Sequence, residues 1–255
     1  MISNNRGGYN NGRGGNNGRG RGRGGKGNNN FNAPRPTHFF AVRINNPDII
    51  DGIVNWQNSV LQKHKELMGT FNLEEFLIEK EKMHFTMFVL TLETQDDIKE
   101  CSTLFQSCKE DIVKMVDTNL GGSEFSFKLS GVHTFEDVEY KKGRVVFSGP
   151  EFTHTNGEKT FCEISSHIHQ LLKNNSVTVD KNVNDKVHCT LAKSSKVKDP
   201  KAPKALPEYV YRHEQDTIFG NGEVEVISEI LLCRMKGPNA KDGFYHIEDR
   251  ILITK

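Results

Sequence analysis

The sequence predicts an α+β fold with a mostly antiparallel sheet. Three observations carry that expectation. Runs of strand length and strand composition outnumber the helical patterns. Helices and strands follow one another in an irregular order. One strand pattern occurs twice, as "KMHFTMFVL" (82–90) and "KVHCTLAK" (186–193), and no helical or solenoid repeat accompanies it in the 255 residues.

The chain opens with a segment unlike the rest. Residues 1–32 hold eleven of the 23 glycines and six cations (Arg6, Arg13, Arg19, Arg21, Arg23, Lys26) with no acid. Almost nothing there can be buried, so chain entropy predicts a disordered tail and linker over 1–36. Pro34 and Pro36 close it, and a single ordered domain is expected over 37–255. Arginines spaced by glycine suit RNA phosphates, with Tyr9 as a stacking partner. Beyond residue 32 the chain carries 28 basic and 33 acidic residues, a net of −5, so the basic arm contrasts with a mildly acidic body.

The domain then reads in order. "HFFAVRI" (38–44) is a strand. A helix follows, capped by Asn46 with Pro47 at its first position, and Ile49, Ile53, Trp56 and Val60 form its apolar stripe. The first repeated strand is expected over 82–92. Thr94 and Asp97 form a capping box for one long helix, with a stripe of Ile98, Cys101, Phe105, Cys108, Ile112 and Met115. "EFSFKLSGVHTF" and "RVVFSGP" are strands around a loop near Glu136–Lys142. "EKTFCEISSHIHQLLKNN" is a helix with Phe161, Ile164, Ile168 and Leu171 inward. The second repeated strand covers 186–192, and a Lys- and Pro-rich loop covers 194–211. Two long strands, "EVEVISEILLCRM" and "GFYHIEDRILIT", end the domain.

Several classes are disfavoured. No run of about 18 apolar residues exists, so no membrane partner is expected. The five cysteines are odd in number and lack any CxxC pair, as in reduced intracellular proteins. A cytoplasmic and/or nuclear protein is expected.

The repeated pattern carries the chemistry. Side chains alternate along a strand, so His84 and Thr86 share one face while Phe85, Met87 and Val89 share the other. His188 and Thr190 oppose Cys189 and Leu191 in the same way. If the two strands lie together, two imidazoles and two hydroxyls meet in one cleft. With ordinary pKa values near about 6.5, one imidazole can be neutral and the other protonated. The first accepts a proton from an attacking hydroxyl and the second donates one to the departing oxygen. Threonine hydroxyls can donate to the phosphate oxygens. The scheme needs no metal or cofactor, and it predicts a bell-shaped pH profile with both limbs between roughly pH 5 and 8.

The sequence resembles the 2H phosphoesterase superfamily, which includes 2′,5′ RNA ligase-like proteins and cyclic phosphodiesterases. Within it, the nearest likeness is to the central domain of the A-kinase anchoring protein gamma/delta group. The stretches "THFFAVRI", "HFTMFVL", "HCTLAKSSK", "IFGNGEVEVISEILLCRM" and "DGFYHIEDRILI" carry the likeness over roughly 37–254. It implies a two-lobed fold with one His motif from each lobe across a central cleft. It implies His84 and His188 as the acid/base pair and Thr86 and Thr190 as phosphate-binding residues. The implied substrates are 2′,5′-linked oligonucleotides, 2′,3′-cyclic phosphates or RNA 3′ ends. The alternatives are a non-catalytic nucleotide- or RNA-binding module and an anchoring-type signalling scaffold. No amphipathic helix is left over to dock a kinase regulatory subunit, which argues against that partner.

Further candidates are weaker. Lys193, three residues after Thr190, leads the lysines of the following loop as a substrate contact, and Phe39 and Tyr245 are candidate base-stacking residues. His154, Cys162, His167 and His169 are close in sequence, but His167 and His169 do not face each other on a helix. They read as solvent-facing side chains, not as metal ligands.

Overall fold

The computed structural model describes residues 34–253 apart from 69, 136–141, 181–182 and 184–185. The Gly/Arg-rich tail and most of the loop at Glu136–Lys142 therefore lie outside the described residues. The first half runs β1 (His38–Arg43), α1 (Pro47–Glu66), β2 (His84–Thr91), α2 (Gln95–Ser107), α3 (Lys109–Leu120), β3 (Ser126–Thr134) and β4 (Val145–Phe152). The second runs α4 (Gly157–Asn174), β5 (Thr178–Val179), β6 (Cys189–Lys193), β7 (Glu225–Val226), β8 (Glu229–Arg234) and β9 (His246–Leu252).

Helix starts written in neighbouring residues are realised. The Asn46 side chain accepts hydrogen bonds from the Asp48 and Ile49 amides, and Pro47 starts α1. Thr94 and Asp97 form the reciprocal capping box of α2. Ile49, Ile53, Trp56 and Val60 are all buried, each contributing about 1.5–3 kcal/mol of burial. Gly52 lets α1 approach the turn at 219–222, since a Cβ there would stand 2.6 Å from the Gly220 amide nitrogen.

Two expected elements are broken in two. The long helix divides at Cys108, whose φ of −93° and ψ of 5° leave the helix, while its thiol donates to the Phe105 carbonyl at 2.9 Å. The break turns the second stripe, so Val116 and Leu120 enter the core and Met115 is only partly buried. In α4, likewise, Leu172 is fully buried and Leu171 flanks it. The strand expected at "EVEVISEILLCRM" divides at Ile227–Ser228: β7 pairs with β3, and β8 with β1 and β9.

All the strands form one antiparallel sheet in the order β7-β3-β4-β6-β2-β1-β8-β9, with β5 added to β2. Five strands separate β7 from β8 in this order. In a flat sheet that is close to 29 Å at about 4.8 Å per strand. Three Cα steps from Val226 to Glu229 span at most about 11 Å, so the sheet must curl until its halves approach. Glu225 supports the curl: its carboxylate accepts from the Asn45 and Asn46 amides at 3.0 and 2.7 Å, tying β7 to the β1–α1 turn.

The order also contains a seam. On one side lie β7, β3, β4 and β6; on the other lie β2, β1, β8 and β9. β2 and β6 join them through the single pair Phe85–Cys189. Helices cover the outer face, where Phe85, Met87 and Phe88 pack with Ile53, Phe105, Ile112 and Phe161. The inner face carries a smaller apolar cluster of Phe39, Ala41, Leu231, Cys233 and Phe244.

Candidate active site

The repeated strands meet at the seam. Phe85 and Cys189 pair across it and are fully buried on the helix side. In an antiparallel ladder the next residues outward stand opposite one another, so His84 comes beside Thr190 and Thr86 beside His188. The two His-x-Thr rows therefore share the inner face in diagonal arrangement.

Each strand then bulges immediately after its threonine. Ala41 pairs with Thr86 but Phe40 pairs with Phe88, leaving Met87 as the extra residue. Phe147 pairs with Thr190 but Val146 pairs with Ala192, leaving Leu191 as the extra residue. A bulge re-aims every side chain beyond it. Val89, expected on the core face, accordingly turns to the inner face and packs beside Phe39. Lys193, an odd number of residues from Thr190, turns to the same face as that threonine.

The histidines are held alike. His84 Nδ1 lies 2.7 Å from the Lys82 carbonyl and His188 Nδ1 lies 2.7 Å from the Lys186 carbonyl. A carbonyl only accepts, so each Nδ1 carries a hydrogen and each Nε2 is the lone-pair nitrogen of the neutral ring. His84 Nε2 then accepts from the Thr86 hydroxyl at 3.0 Å. Burial presses the His84 pKa down to about 4; the Lys82 carbonyl opposes this, while the charges of Lys193 and His188 add to it. The His188 pKa is also lowered, by burial first and then by the Lys186 charge, against the pull of the Lys186 carbonyl.

A cavity of about 350 Å³ opens beside His84. Phe39, His84, Thr86, Thr190, Lys193 and Tyr245 line it, so six of the seven residues singled out in the sequence meet there. The seventh, His188, is not among the residues that line it; its ring stands against Phe135 and Phe147 at 5.4 and 5.1 Å. Phe39 and Tyr245 stand edge to face at 4.9 Å, and the His84 ring lies 5.1 and 5.5 Å from them. Burial lowers the Lys193 pKa. Lys196 turns away from the cavity, to Glu79 at 3.1 Å and to the Leu77 carbonyl.

Two residues escaped the sequence reading although their signal was plain. Lysine stands two places before both histidines, and its carbonyl is what fixes each ring. Lys82 Nζ lies 5.5 Å from the Tyr245 ring centre and Lys186 Nζ lies 4.9 Å from that of Phe147. Phe147 and Met235 gave no local signal, because only the folded sheet brings them to the site.

The histidines set aside as metal ligands have structural partners. His169 is buried, not solvent-facing, and its Nε2 donates to the Asp180 carbonyl at 2.7 Å. His167 approaches Asp111 at 3.5 Å, and His154 accepts from the Asn156 amide. Among the described residues, no cluster of three or more His, Cys, Asp or Glu could hold a metal ion.

A curled antiparallel sheet that sets two His-x-Thr strands side by side at a seam has the architecture of a 2H phosphoesterase domain. Residues 36–253 match the family described as the AKAP7 2′5′ RNA ligase-like domain, and the chain belongs to that family. Human A-kinase anchor protein 7 isoform gamma is 24% identical over 222 residues, covering 86% of this chain and 58% of the relative. The chain thus spans a little over half the length of that relative. The fold is shared with the TT0787 protein of Thermus thermophilus (TM-score 0.51, 14% identity, 85% of this chain and 97% of that one). It is shared too with Escherichia coli LigT complexed with 3′-AMP (TM-score 0.50, 14% identity, 86% and 99%).

Proposed function

We propose that the domain is a metal-independent phosphodiesterase acting on RNA or oligonucleotide diesters, with His84 as general base and His188 as general acid. The observation that carries this reading is the Phe85–Cys189 pair, which sets both His-x-Thr rows on one face. A phosphate between the rows has an imidazole on either side and a threonine hydroxyl beside each. His84 Nε2 takes the proton of the attacking hydroxyl as its oxygen bonds to phosphorus. The bond from phosphorus to the departing oxygen breaks, and that oxygen takes the proton of His188 Nε2. Thr86 rotates its hydrogen from His84 to a phosphate oxygen, and Thr190 and Lys193 face the charge that builds there.

The roles follow from environment. His84 is the more strongly depressed, at about 4, so it stays neutral at working pH and suits the base. A bound phosphate raises the pKa of a neighbouring imidazole, which charges His188 for its role as acid. A nucleotide ligand is consistent with the 3′-AMP that Escherichia coli LigT holds. The test is incubation of the full chain with 2′,5′-linked, 3′,5′-linked and 2′,3′-cyclic substrates in excess EDTA, with products identified by mass. Cleavage that persists in chelator is expected. Binding without cleavage would make the cleft a recognition module, and cleavage that needs an added divalent ion would refute the two-histidine scheme.

A further inference from the structure

The end of the β1–β8 ladder has a cavity on each face. Side chains alternate along both strands. Phe39 and Met235 line the cavity beside His84, while their neighbours His38, Arg234 and Lys236 line another, of about 290 Å³. The Met235 amide donates to the Thr37 carbonyl at 2.8 Å and closes the ladder at that rim. The start of α2 supplies a further wall through Gln95, and Arg35 and Glu93 complete the polar lining.

This cavity is cationic. Arg35, Arg234 and Lys236 stand there against a single lining acid, Glu93. Glu248 engages Arg234 through Nε at 2.5 Å, which leaves the terminal nitrogens of the guanidinium fork for an anion. Arg35 and Lys236 are exposed and enter no ion pair among the described residues. Asp97, on the same helix as Gln95, spends its carboxylate on the Glu93 and Thr94 amides at 2.9 and 2.8 Å. Polar capacity in the wall is also unused. The Thr37 hydroxyl donates to the Leu92 carbonyl at 3.0 Å, so it accepts from His38 Nδ1 at 2.8 Å. His38 Nε2 is buried, stands 3.6 Å from Glu248 and makes no hydrogen bond.

Two facts favour a nucleic-acid strand as the anion. The cavity adjoins the one beside His84 through consecutive residues, so a strand leaving that cleft over the rim meets it next. Arg35 is also where the chain enters the domain from residues 1–32, which carry six cations and no acid. Cations that follow one another along a path track a nucleic-acid backbone.

We infer that this cavity holds a backbone phosphate of a single-stranded RNA whose scissile diester lies in the cleft, and that the preferred substrate is an oligonucleotide longer than a dinucleotide. This rests on the phosphodiesterase reading above. A dinucleotide fills the cleft without reaching the cavity; a longer strand crosses the rim and gains its contacts.

The test measures affinity on the full chain, with labelled 2′-O-methyl RNA of two and of twelve nucleotides. Arg35→Gln combined with Lys236→Gln is expected to weaken the twelve-mer by about tenfold at low salt, at up to about fivefold for each exposed ion pair. The slope of log affinity against log salt should fall by about 1.4, at about 0.7 per cation. Affinity for the two-mer should not change. A control pair, Lys114→Gln with Lys173→Gln, removes two exposed cations from α3 and α4 and should leave both ligands as they were. Unchanged twelve-mer binding in the Arg35 and Lys236 variant, or an equal loss in the control, would overturn the site. So would polyglutamate that displaces the twelve-mer from wild type as well as unlabelled twelve-mer does. Failure of every diester to be cleaved would sink the phosphodiesterase reading, while the affinity comparison would still decide the cavity.

Discussion

The two sides of the seam repeat one another up to a point. Each presents Lys-x-His-x-Thr, ties the ring through the carbonyl two residues back, and bulges just after the threonine. Each sets a phenylalanine 5.1 Å from its histidine, Phe39 or Phe147. They part at the first inner-face position beyond the bulge, which is Val89 on one side and Lys193 on the other. They part again in enclosure, since His84 is boxed by Phe39, Phe244 and Tyr245 while His188 has the rings of Phe135 and Phe147 beside it. One local geometry thus sits in two different surroundings, and under the proposed mechanism those surroundings, not the motif, would divide the labour between base and acid.

The strongest way to break the comparison is to remove either ring. His84→Ala and His188→Ala should each reduce kcat by at least about 10². The double variant should be little worse than the poorer single, because the pair acts as a unit. Single-turnover assays on a cleavable dinucleotide would check this, and an unimpaired variant on either side would end the division of roles.

A smaller effect sharpens the difference in proton affinity. The base must be neutral, so the acid limb of kcat/KM should fall near pH 4, the value to which His84 is pressed. The acid must be protonated, so the alkaline limb should fall below 6.5, the ordinary value from which His188 is lowered. The bell should therefore sit on the acid side of the one expected from unperturbed histidines. Lys193→Met removes a cation that depresses His84, so it should shift the acid limb upward. It should also cost roughly tenfold to hundredfold in kcat/KM, the range for a hydrogen bond to a charged group. A pH–rate series on wild type and variant tests both shifts, and an acid limb that stays in place would remove Lys193 from the His84 environment.

The smallest effect concerns the arm outside both halves. Deleting residues 1–33 should weaken binding to long RNA and reduce the slope of log affinity against log salt by at most about 4, at about 0.7 per cation for the six cations of that segment. Dinucleotide cleavage should not change. Salt titrations with both ligands, on intact and shortened chains, would expose any dependence of the cleft on the arm.

Much of this was legible because it is local. Caps are written in consecutive residues, so Asn46–Pro47 and Thr94–Asp97 announced their helices. The His-x-Thr repeat needs only strand alternation to align each pair. What failed depends on partners distant in sequence. Alternation mis-assigned Val89 because the Met87 bulge is defined by β1, a strand far earlier in the chain. The same cause hid why Lys193 faces the cleft. The division of β7 from β8 is invisible in an unbroken apolar run, because the sheet's curl makes it. His169 read as solvent-facing because its acceptor, the Asp180 carbonyl, lies beyond the end of its own helix.

The pairing of β1 with β8 sets an order of assembly. β1 gains one neighbour from β2, the next strand to be made, but the other only from residues 229–234. During vectorial synthesis, nearly the whole domain emerges while that edge still presents unpaired amides and carbonyls, a template for association with other chains. Met235 and Tyr245 are the last of the residues lining the cavity beside His84 to be made. Both histidine strands can be in place before the pocket that would receive a substrate exists, so a nascent or C-terminally clipped chain carries the motifs without the site.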